Sequence, residues 1–345
     1  MRYGEVNRSM KHTLLILGGA GYIGSHTVAE LVGRGCEVVV ADNLEKGHRA
    51  AVHPKAAFRE GDIRDATFMD ALFSEFGVDC VIHFAAYSLV GESVSDPLKY
   101  YDNNVGGTRA ALSAMAKHGV RNIVFSSSAA VYGEPEEVPI PEGARLHPQS
   151  PYGASKLTME QMMAWCARAY GMRYVSLRYF NACGALPGGL IGEDHAPETH
   201  LIPNALYAAL GKSPALEIYG DDYPTKDGTC VRDYIHVCDL ARAHALAAQY
   251  LMDGGQSDIF NLGSGEGFTV KEILLAAQEV AGRPIPHKFV GRRAGDPAKL
   301  VASNGKADRA LGFSPGITSI RDMIASAWAW HAGHPAGFAG YMPDW

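Results

Sequence analysis

One short motif constrains the fold of this chain more than any other. A strand-like apolar run, Thr13–Leu17, leads directly into GGAGYIG at residues 18–24, and a helical pattern follows. Gly18 permits a tight turn, Gly21 lets the backbone approach a pyrophosphate, and Gly24 lets a helix pack closely on the strand. The helix N-terminus then offers free N–H groups to phosphate oxygens. The motif therefore predicts a dinucleotide-binding βαβ unit.

A carboxylate stands where such a unit contacts the ribose. Asp42 ends the second predicted strand, 18 positions beyond Gly24, and is placed to accept hydrogen bonds from ribose hydroxyls. A carboxylate there would repel a 2′-phosphate, so NAD is favoured over NADP. Asp62 and Ile63, after the third predicted strand, are candidates to flank the adenine.

The first half of the chain alternates strand and helix patterns, which predicts right-handed crossovers and a parallel sheet. Predicted strands are Thr13–Leu17, Val38–Ala41, Ala57–Arg59, Cys80–Phe84, Asn122–Ser126 and Tyr174–Leu177. Predicted helices are Tyr22–Arg34, Ala66–Phe76, Gly107–His118, Ser155–Tyr170, Leu240–Tyr250, Val270–Ala281 and Ile320–His331. Segments 184–197 and 221–233 are predicted loops.

These patterns predict an α/β protein with a Rossmann-type doubly wound parallel sheet and a smaller α/β substrate-binding lobe. We expect residues 13–181 to form the NAD-binding domain, with residues 233–262 returning to it. Residues 182–232 and 263–345 are assigned to the second lobe, and residues 1–12 to an N-terminal extension.

A second motif carries the expected chemistry. Tyr152 and Lys156 stand four residues apart in YGASK, on one face of a helix. An ammonium about 5 Å from a phenol, at an effective dielectric of about 20, lowers the phenol pKa by about two units. Tyr152 is therefore expected to exchange a proton with an alcohol near pH 7. A hydroxyl of Ser126–Ser128, at the end of the fifth strand, is expected to bridge the phenol and the reacting oxygen.

Charge and cysteine content narrow the class of protein. The formal net charge of −6 gives no electrostatic footprint for nucleic acid or an anionic membrane, and no apolar run is long enough for a membrane span. The six cysteines are scattered without a CxxC pair. They predict reduced thiols, a cytoplasmic location and no zinc site, so no residue is assigned as a metal ligand.

Longer runs carry a resemblance that covers roughly residues 13–331. They are DNL at 42–44, HFAA at 83–86, YYDNNV at 100–105, SSSAAVYG at 126–133, SPYGASK at 150–156, LRYFNACGA at 177–185, GEDHAPETHLIP at 192–203, DGTCVRDYIHV at 227–237 and RRAGDPAKLVAS at 292–303. With the glycine motif and YxxxK, the chain resembles the UDP-glucose 4-epimerase branch of the extended short-chain dehydrogenase/reductase family.

The resemblance implies a tightly held, recycled NAD and inversion at C4 of a UDP-sugar through a 4-keto intermediate. It implies that Tyr152 exchanges the proton, that Ser128 binds the sugar 4-oxygen, and that Lys156 holds the nicotinamide ribose. Implied cofactor contacts are Gly18, Gly21, Tyr22, Ile23, Gly24, Asp42, Asn43, Leu44, Asp62, Ile63, Phe84, Ala85, Ala86, Asn103, Ser126, Tyr152, Lys156 and Phe180. Implied substrate contacts are Ser128, Tyr152, Asn181, His200, Leu201, Tyr219, Arg232, Arg293, Asp296 and Leu300. Homodimers are common in the family, and helices Gly107–His118 and Ser155–Tyr170 are the implied interface.

Three alternatives remain open at this point. Leu300 stands where relatives carry tyrosine or cysteine beside the sugar C2 substituent, so UDP-N-acetylhexosamines or UDP-xylose and UDP-arabinose are alternative substrates. A nucleotide-sugar dehydratase is disfavoured, because Ala129 and Ala130 replace the acid pair that performs the elimination. A non-catalytic NAD sensor has no need for Ser128, Tyr152 and Lys156 together.

Overall fold

The computed structural model describes residues 12–293 and 296–345. Residues 1–11 of the expected N-terminal extension lie outside the described residues. The strands are β1 (Thr13–Leu17), β2 (Glu37–Asp42), β3 (Ala57–Glu60), β4 (Cys80–His83), β5 (Asn122–Ser126), β6 (Arg173–Tyr179), β7 (Asn181–Cys183), β8 (Leu216–Tyr219), β9 (Val231–His236), β10 (Asp258–Leu262), β11 (Gly267–Thr269), β12 (His287–Val290) and β13 (Lys299–Leu300). The α-helices are α1 (Tyr22–Gly33), α2 (Ala66–Glu75), α3 (Val90–Ser95), α4 (Pro97–Tyr100), α5 (Gly107–His118), α6 (Pro151–Tyr170), α7 (Leu201–Ala209), α8 (Val237–Met252), α9 (Val270–Ala281), α10 (Gly305–Leu311) and α11 (Ile320–Gly333).

The main sheet has the strand order β10-β6-β5-β4-β1-β2-β3, and every neighbouring pair is parallel. The order reverses between β1 and β4, so the connections that leave these strands diverge and open a crevice at their carboxyl ends. This confirms the predicted Rossmann-type doubly wound sheet. The glycine motif follows β1 and therefore lies at that crevice.

Both faces of the sheet are covered, which explains why its strands read as nearly continuous apolar runs. One face packs beneath α1 and α8 through a cluster that includes Val28, Leu240 and Phe260. The other packs beneath α2, α5 and α6 through a cluster that includes Met69 and Met159. The site at the sheet edge is therefore supported from both sides.

Helix α6 begins four residues earlier than predicted. Ser150 caps it by accepting a hydrogen bond from the Gly153 N–H at 3.2 Å, and Pro151 occupies the first helical position. Proline is favoured there because it has no N–H to satisfy. Tyr152 therefore lies in the first turn of the helix rather than before it, and its side chain is fixed by regular backbone geometry.

A second group of elements lies beyond the main sheet. Strand β9 pairs with β7 and β13 in parallel and with β11 in antiparallel orientation, while β8 pairs with β12. The predicted loop 221–233 therefore ends early, because residues from Val231 onward form a strand. Helices α7, α9 and α11 share a separate apolar core. Strand β10, from the segment 233–262, joins the main sheet beside β6.

Among the residues that the structure describes, no helix is long and apolar enough to cross a membrane.

Candidate active site

The glycine motif forms a turn that side chains would block. Gly18 has φ +81°, and a Cβ there would meet the Ala85 nitrogen at 2.5 Å. A Cβ on Gly24 would meet the Gly18 oxygen at 2.2 Å, which accounts for the close passage of α1 over the turn. Gly21 precedes α1, and no side chain caps this helix. A group with phosphate oxygens can therefore approach the backbone N–H groups of the first turn.

Asp42 organises this turn as well as offering a ribose acceptor. One carboxylate oxygen accepts from the Ala20 N–H and the other from the Leu44 N–H, each at 2.9 Å. The second bond closes a turn in which Leu44 has φ 58°. Burial raises the pKa of Asp42, and the two backbone N–H groups oppose that shift. Each oxygen retains a lone pair for a hydroxyl donor.

Ion pairs and hydrogen bonds fix the residues that are expected to flank the adenine. Arg64 pairs with Asp62 at 2.7 Å and with Asp102 at 3.0 Å. The Arg64 side chain lowers the pKa of Asp62 to about 2. The Asn43 amide also donates to Asp62, at 3.3 Å. Ile63 is buried, as expected for an apolar wall.

The end of β4 faces the glycine turn. The Phe84 and Ala85 N–H groups both donate to the Leu17 carbonyl, at 2.8 and 2.9 Å, and hold this connection beside β1. Half-buried Ala86 continues the same connection. Tyr101–Gly106 is a π-helix, a form that occurs frequently at functional sites. It carries buried Asn103, whose amide donates to the neighbouring Asn104 at 3.1 Å.

The structure brings the predicted catalytic residues together at the carboxyl end of β5. Lys156 Nζ donates to the Ser126 carbonyl at 2.8 Å and lies 6.0 Å from the centroid of the Tyr152 ring. Ser128 is fixed by accepting from the Ala130 N–H at 3.1 Å. Tyr152 and Lys156 are both more than nine-tenths buried, so water is largely kept from the phenol and the ammonium.

The electrostatics of this group differ from the sequence-based expectation. Burial raises the pKa of Tyr152, and its hydrogen bond with Ser128 only opposes that shift. Burial also lowers the pKa of Lys156 to about 7, against the attraction of Glu160. The expected depression of the phenol pKa by the ammonium was therefore wrong for the protein groups alone. Desolvation is the reason, because it disfavours the charged form of both groups.

A buried network fixes the helix that carries these residues. Glu160 on α6 accepts from Arg178 at 2.6 Å and from the Ser127 hydroxyl at 2.5 Å. Arg178 also donates to the Tyr132 hydroxyl at 3.0 Å, and that hydroxyl donates to Asn261 at 2.7 Å. The contacts tie α6 to β5, β6 and β10, so rotation of α6 would break several buried polar contacts at once.

The expected nucleotide contacts of the second lobe form two pairs. The Arg293 guanidinium lies 3.8 Å from the centroid of the Tyr219 ring. Arg232 pairs with Asp296 at 2.5 Å. Asp296 is therefore already engaged by an arginine. Leu300 lies opposite Arg232 across β13 and β9.

Other expected substrate residues lie near the point where the chain leaves the main sheet. Phe180 packs with Leu300 in a small apolar cluster, and Asn181 opens β7. His200 immediately precedes α7, Leu201 begins it, and His200 Nδ1 lies 2.6 Å from Glu193 Oε1.

Four residues that support the site were not predicted from the sequence, namely Asn104, Ser155, Tyr179 and Gly184. The Tyr179 hydroxyl shares a 2.6 Å hydrogen bond with Ser126 Oγ. Asn104 donates to the Ser155 hydroxyl at 3.1 Å and connects the π-helix with α6. Tyr22 OH donates to the Gly184 carbonyl at 2.6 Å. All these residues lie inside the runs that carry the resemblance, but their contacts depend on tertiary neighbours that the runs do not specify.

Comparison with known proteins identifies the family of this chain. The model of the NAD dependent epimerase/dehydratase family matches residues 14–263. A protein of Lacticaseibacillus casei named UDP-glucose 4-epimerase is 56% identical over 326 residues, which cover 94% of this chain and 98% of that protein.

Solved structures show the same similarity. The UDP-glucose 4-epimerase of Brucella ovis in complex with NAD is 48% identical, with a TM-score of 0.90 and coverage of 92% of this chain and 98% of that one. The UDP-glucose 4-epimerase of Bifidobacterium longum in complex with NAD+ and UDP is 41% identical, with a TM-score of 0.90 and coverage of 94% and 100%. With the glycine turn, the Asp42 acceptor and the Tyr152–Lys156 pair in place, this chain belongs to the NAD dependent epimerase/dehydratase family.

Proposed function

We propose that the protein interconverts UDP-galactose and UDP-glucose by reversible hydride transfer at C4 of the sugar. The observation that carries the proposal is the convergence of Ser128, Tyr152 and Lys156 at the carboxyl end of β5, on the same edge of the parallel sheet as the glycine turn. Relatives named for the same activity, similar over nearly the whole chain, support it.

The described residues fit NAD. The turn at Gly18–Gly24 gives a backbone cradle that a Cβ would fill, and the first turn of α1 would hold the pyrophosphate. Asp42 would accept the adenosine ribose hydroxyls, and Asn43, Asp62 and Ile63 would flank the adenine. The other proposed contacts are Tyr22, Ile23, Leu44, Phe84, Ala85, Ala86, Asn103, Ser126, Tyr152, Lys156 and Phe180. When bound, NAD supplies the hydride acceptor and a cationic ring.

Tyr152 moves the proton of the reaction. Its phenolate takes the proton of the sugar 4-hydroxyl while the C4 hydrogen departs with its electron pair, and the 4-keto sugar forms. Ser128 donates to the 4-oxygen throughout. After the sugar has turned its other face, C4 takes the hydride back on that face, and the same phenol returns the proton to the 4-oxygen. Because burial disfavours the phenolate, we infer that a cationic ring and a ribose-bound Lys156 ammonium together stabilise it.

The second lobe binds the nucleotide. Arg232 and Arg293 would hold the diphosphate, since guanidinium forks bind its oxygens in pairs. The stacking of Arg293 on Tyr219 positions one of these forks before substrate binds. Asn181, His200, Leu201, Asp296 and Leu300 complete the proposed pocket. In this arrangement residues 13–181 and 233–262 form the NAD domain, and residues 182–232 and 263–345 form the UDP-sugar lobe.

A substrate panel tests the proposal. Purified protein is incubated with UDP-galactose, UDP-xylose and UDP-N-acetylglucosamine, and C4 inversion is followed by anion-exchange chromatography. Production of UDP-glucose from UDP-galactose, without net NADH formation, is expected. Failure to invert any UDP-sugar while NAD remains bound would instead favour the NAD sensor.

Leu300 favours the same substrates without excluding the other UDP-sugars. Its half-buried side chain packs against the same apolar cluster as Phe180, and we infer that it takes up space that a sugar C2 substituent would need. A Leu300→Ala variant is expected to gain activity on UDP-N-acetylglucosamine relative to UDP-galactose. A dehydratase remains disfavoured, since Ala129 and Ala130 form a short turn with no acid that can transfer a proton.

We also propose that two copies associate through α5 and α6. The neighbouring exposed side chains support this, since Val94 and Leu98 are 64% and 77% exposed and Trp165 on α6 is 66% exposed. Large apolar side chains exposed in this way are a feature of interaction surfaces. Analytical ultracentrifugation of the wild type should show a dimer, and Trp165→Glu should shift the equilibrium toward the monomer.

The six cysteines are free thiols in the structure, which supports the predicted cytoplasmic location.

A further inference from the structure

Four side chains, of which only His200 is a proposed substrate contact, converge on one point of the loop before α7. They are Glu193, His195, Glu198 and His200, and their ligand atoms all lie within 4.8 Å of one another. The loop forms a short Glu-x-His-x-x-Glu-x-His segment, in which carboxylates and imidazoles alternate. The cysteine spacing of the chain does not indicate this cluster, because its members are glutamates and histidines.

Both histidines turn the same ring nitrogen toward the carboxylates. His200 Nδ1 lies 2.6 Å from Glu193 Oε1 and 3.3 Å from Glu198 Oε1. His195 Nδ1 lies 3.2 Å from Glu193 Oε1 and 3.9 Å from Glu198 Oε2. A tetrahedral zinc ion with bonds of about 2.0–2.1 Å keeps its ligand atoms about 3.4 Å apart. Three of these four histidine–glutamate separations lie within about 0.5 Å of that value, and the 2.6 Å separation must open by about 0.8 Å. They involve both oxygens of Glu198, so its carboxylate must turn to present a single ligand oxygen.

A second observation points independently to a missing partner. The side chains of Glu193 and Glu198 are each only 4% exposed. Glu198 Oε2 is buried and has no hydrogen-bond partner, although a buried carboxylate oxygen is normally satisfied. It lies on the side of the carboxylate that faces His195. A cation between the four groups would satisfy this oxygen.

Charge balance favours a divalent ion. The side chains of Glu193 and Glu198 carry two negative charges that are costly to bury without a counter-charge. Against the opposing effect of burial, the Glu193 carboxylate raises the pKa of His200, so a proton on that ring offsets one of these charges in the metal-free protein. One divalent cation bound by neutral rings balances both charges, with release of that proton. Calcium and magnesium prefer sites made only of oxygen, whereas two imidazoles and two carboxylates suit zinc. We propose that Glu193, His195, Glu198 and His200 bind one Zn²⁺ as a closed, four-ligand structural site.

The proposed zinc site contacts elements on both sides of the loop, next to the proposed cofactor and substrate pocket. The Glu193 carbonyl accepts from the Trp330 indole at 2.9 Å, which fastens the loop to α11. The His195 ring meets the Tyr22 ring edge-on, with centroids 6.2 Å apart, beside the first turn of α1. Zinc would therefore hold the start of α7 against the helix that faces the proposed cofactor. It would also leave His200 Nε2 protonated and directed away from the metal, a consequence that rests on the proposed substrate role of His200.

Metal content tests the site without reference to activity. Tag-free holoprotein is dialysed against chelator, loaded with one equivalent of Zn²⁺, dialysed again and analysed by mass spectrometry. About one zinc per chain is expected. Glu198→Gln and His195→Asn should each weaken zinc binding at least about tenfold, whereas the exposed-site controls Glu279→Gln and His147→Asn should retain it. Variants that bind zinc as tightly as the wild type would overturn the proposal.

Loading the wild-type protein with Co²⁺ tests the site even if a variant fails to fold. Wild-type protein loaded with Co²⁺ should show the strong visible absorption of tetrahedral coordination, and one equivalent of Zn²⁺ should remove it. Weak octahedral bands, or a loaded protein with less than about a tenth of a zinc per chain, would overturn the assignment. Zinc binding without epimerase activity would leave this site standing and contradict only the proposed function.

Discussion

Lys156 Nζ is bonded to the Ser126 carbonyl at 2.8 Å, and this contact fixes the ammonium at the carboxyl end of β5 beside the Tyr152 ring. The carbonyl takes one of the three ammonium donors and leaves two for other groups. Because Lys156 is more than nine-tenths buried, its charge depends strongly on what else enters the site. We therefore expect proton transfer at Tyr152 to be coupled to cofactor binding.

We predict that Tyr152→Phe lowers kcat for UDP-galactose by about 10²–10⁴-fold, since it removes a general acid–base group. The variant should retain NAD, because the glycine turn and Asp42 are untouched. A steady-state assay of UDP-galactose turnover measures kcat, and the NAD content of the purified protein measures cofactor retention. Tyr170→Phe, at an exposed position on the same helix, is the matched control. Turnover within twofold of the wild type in Tyr152→Phe would refute the role.

Lys156→Met should stabilise the NAD-stripped protein at pH 7 and lose this advantage toward pH 10. Burial lowers the pKa of Lys156 from 10.5 to about 7, so the unfolded chain binds more protons than the folded chain between these values. The wild type therefore gains stability with rising pH across that window, and the variant lacks this contribution. Urea unfolding at several pH values measures the difference. Lys117→Met, at an exposed position, should show no such trend, and a constant difference for Lys156→Met would contradict the prediction.

Buried His244 should contribute to acid unfolding. Burial lowers its pKa to about 4, and its Nε2 has no hydrogen-bond partner. Between pH 6.5 and about 4 the unfolded chain binds the proton that the folded chain does not, so stability falls as pH drops through this window. His244→Phe should flatten the decline, because the site already contacts Phe84 and Tyr179. The same replacement at exposed His147 serves as the control in pH-dependent thermal unfolding.

Breaking the buried Arg178–Glu160 pair should be costly. Arg178→Met leaves the Glu160 carboxylate buried without its cation, and losses of about 3–5 kcal/mol are typical of such changes. Arg59→Met breaks the exposed pair with Glu75 and should change the free energy of unfolding far less, because water screens that pair. Urea denaturation of both variants measures the contrast. Adding Glu160→Leu to Arg178→Met should recover part of the loss, and a further loss instead would argue against an unpaired buried charge.

The sequence by itself determined the fold class and indicated the candidate site, because both depend on local patterns. Continuous apolar strands, the glycine turn and the YxxxK spacing are set by neighbours within a few residues, and β1, β5, α5 and α9 have their predicted bounds. Only the tertiary structure decided the direction in which the pKa values of the site residues shift. The pKa values of Tyr152 and Lys156 follow from burial, which side chains distant in sequence produce. Tertiary structure also decided that Asp296 pairs with Arg232 and that four residues of one loop converge, because the sequence does not specify the distance between folded side chains.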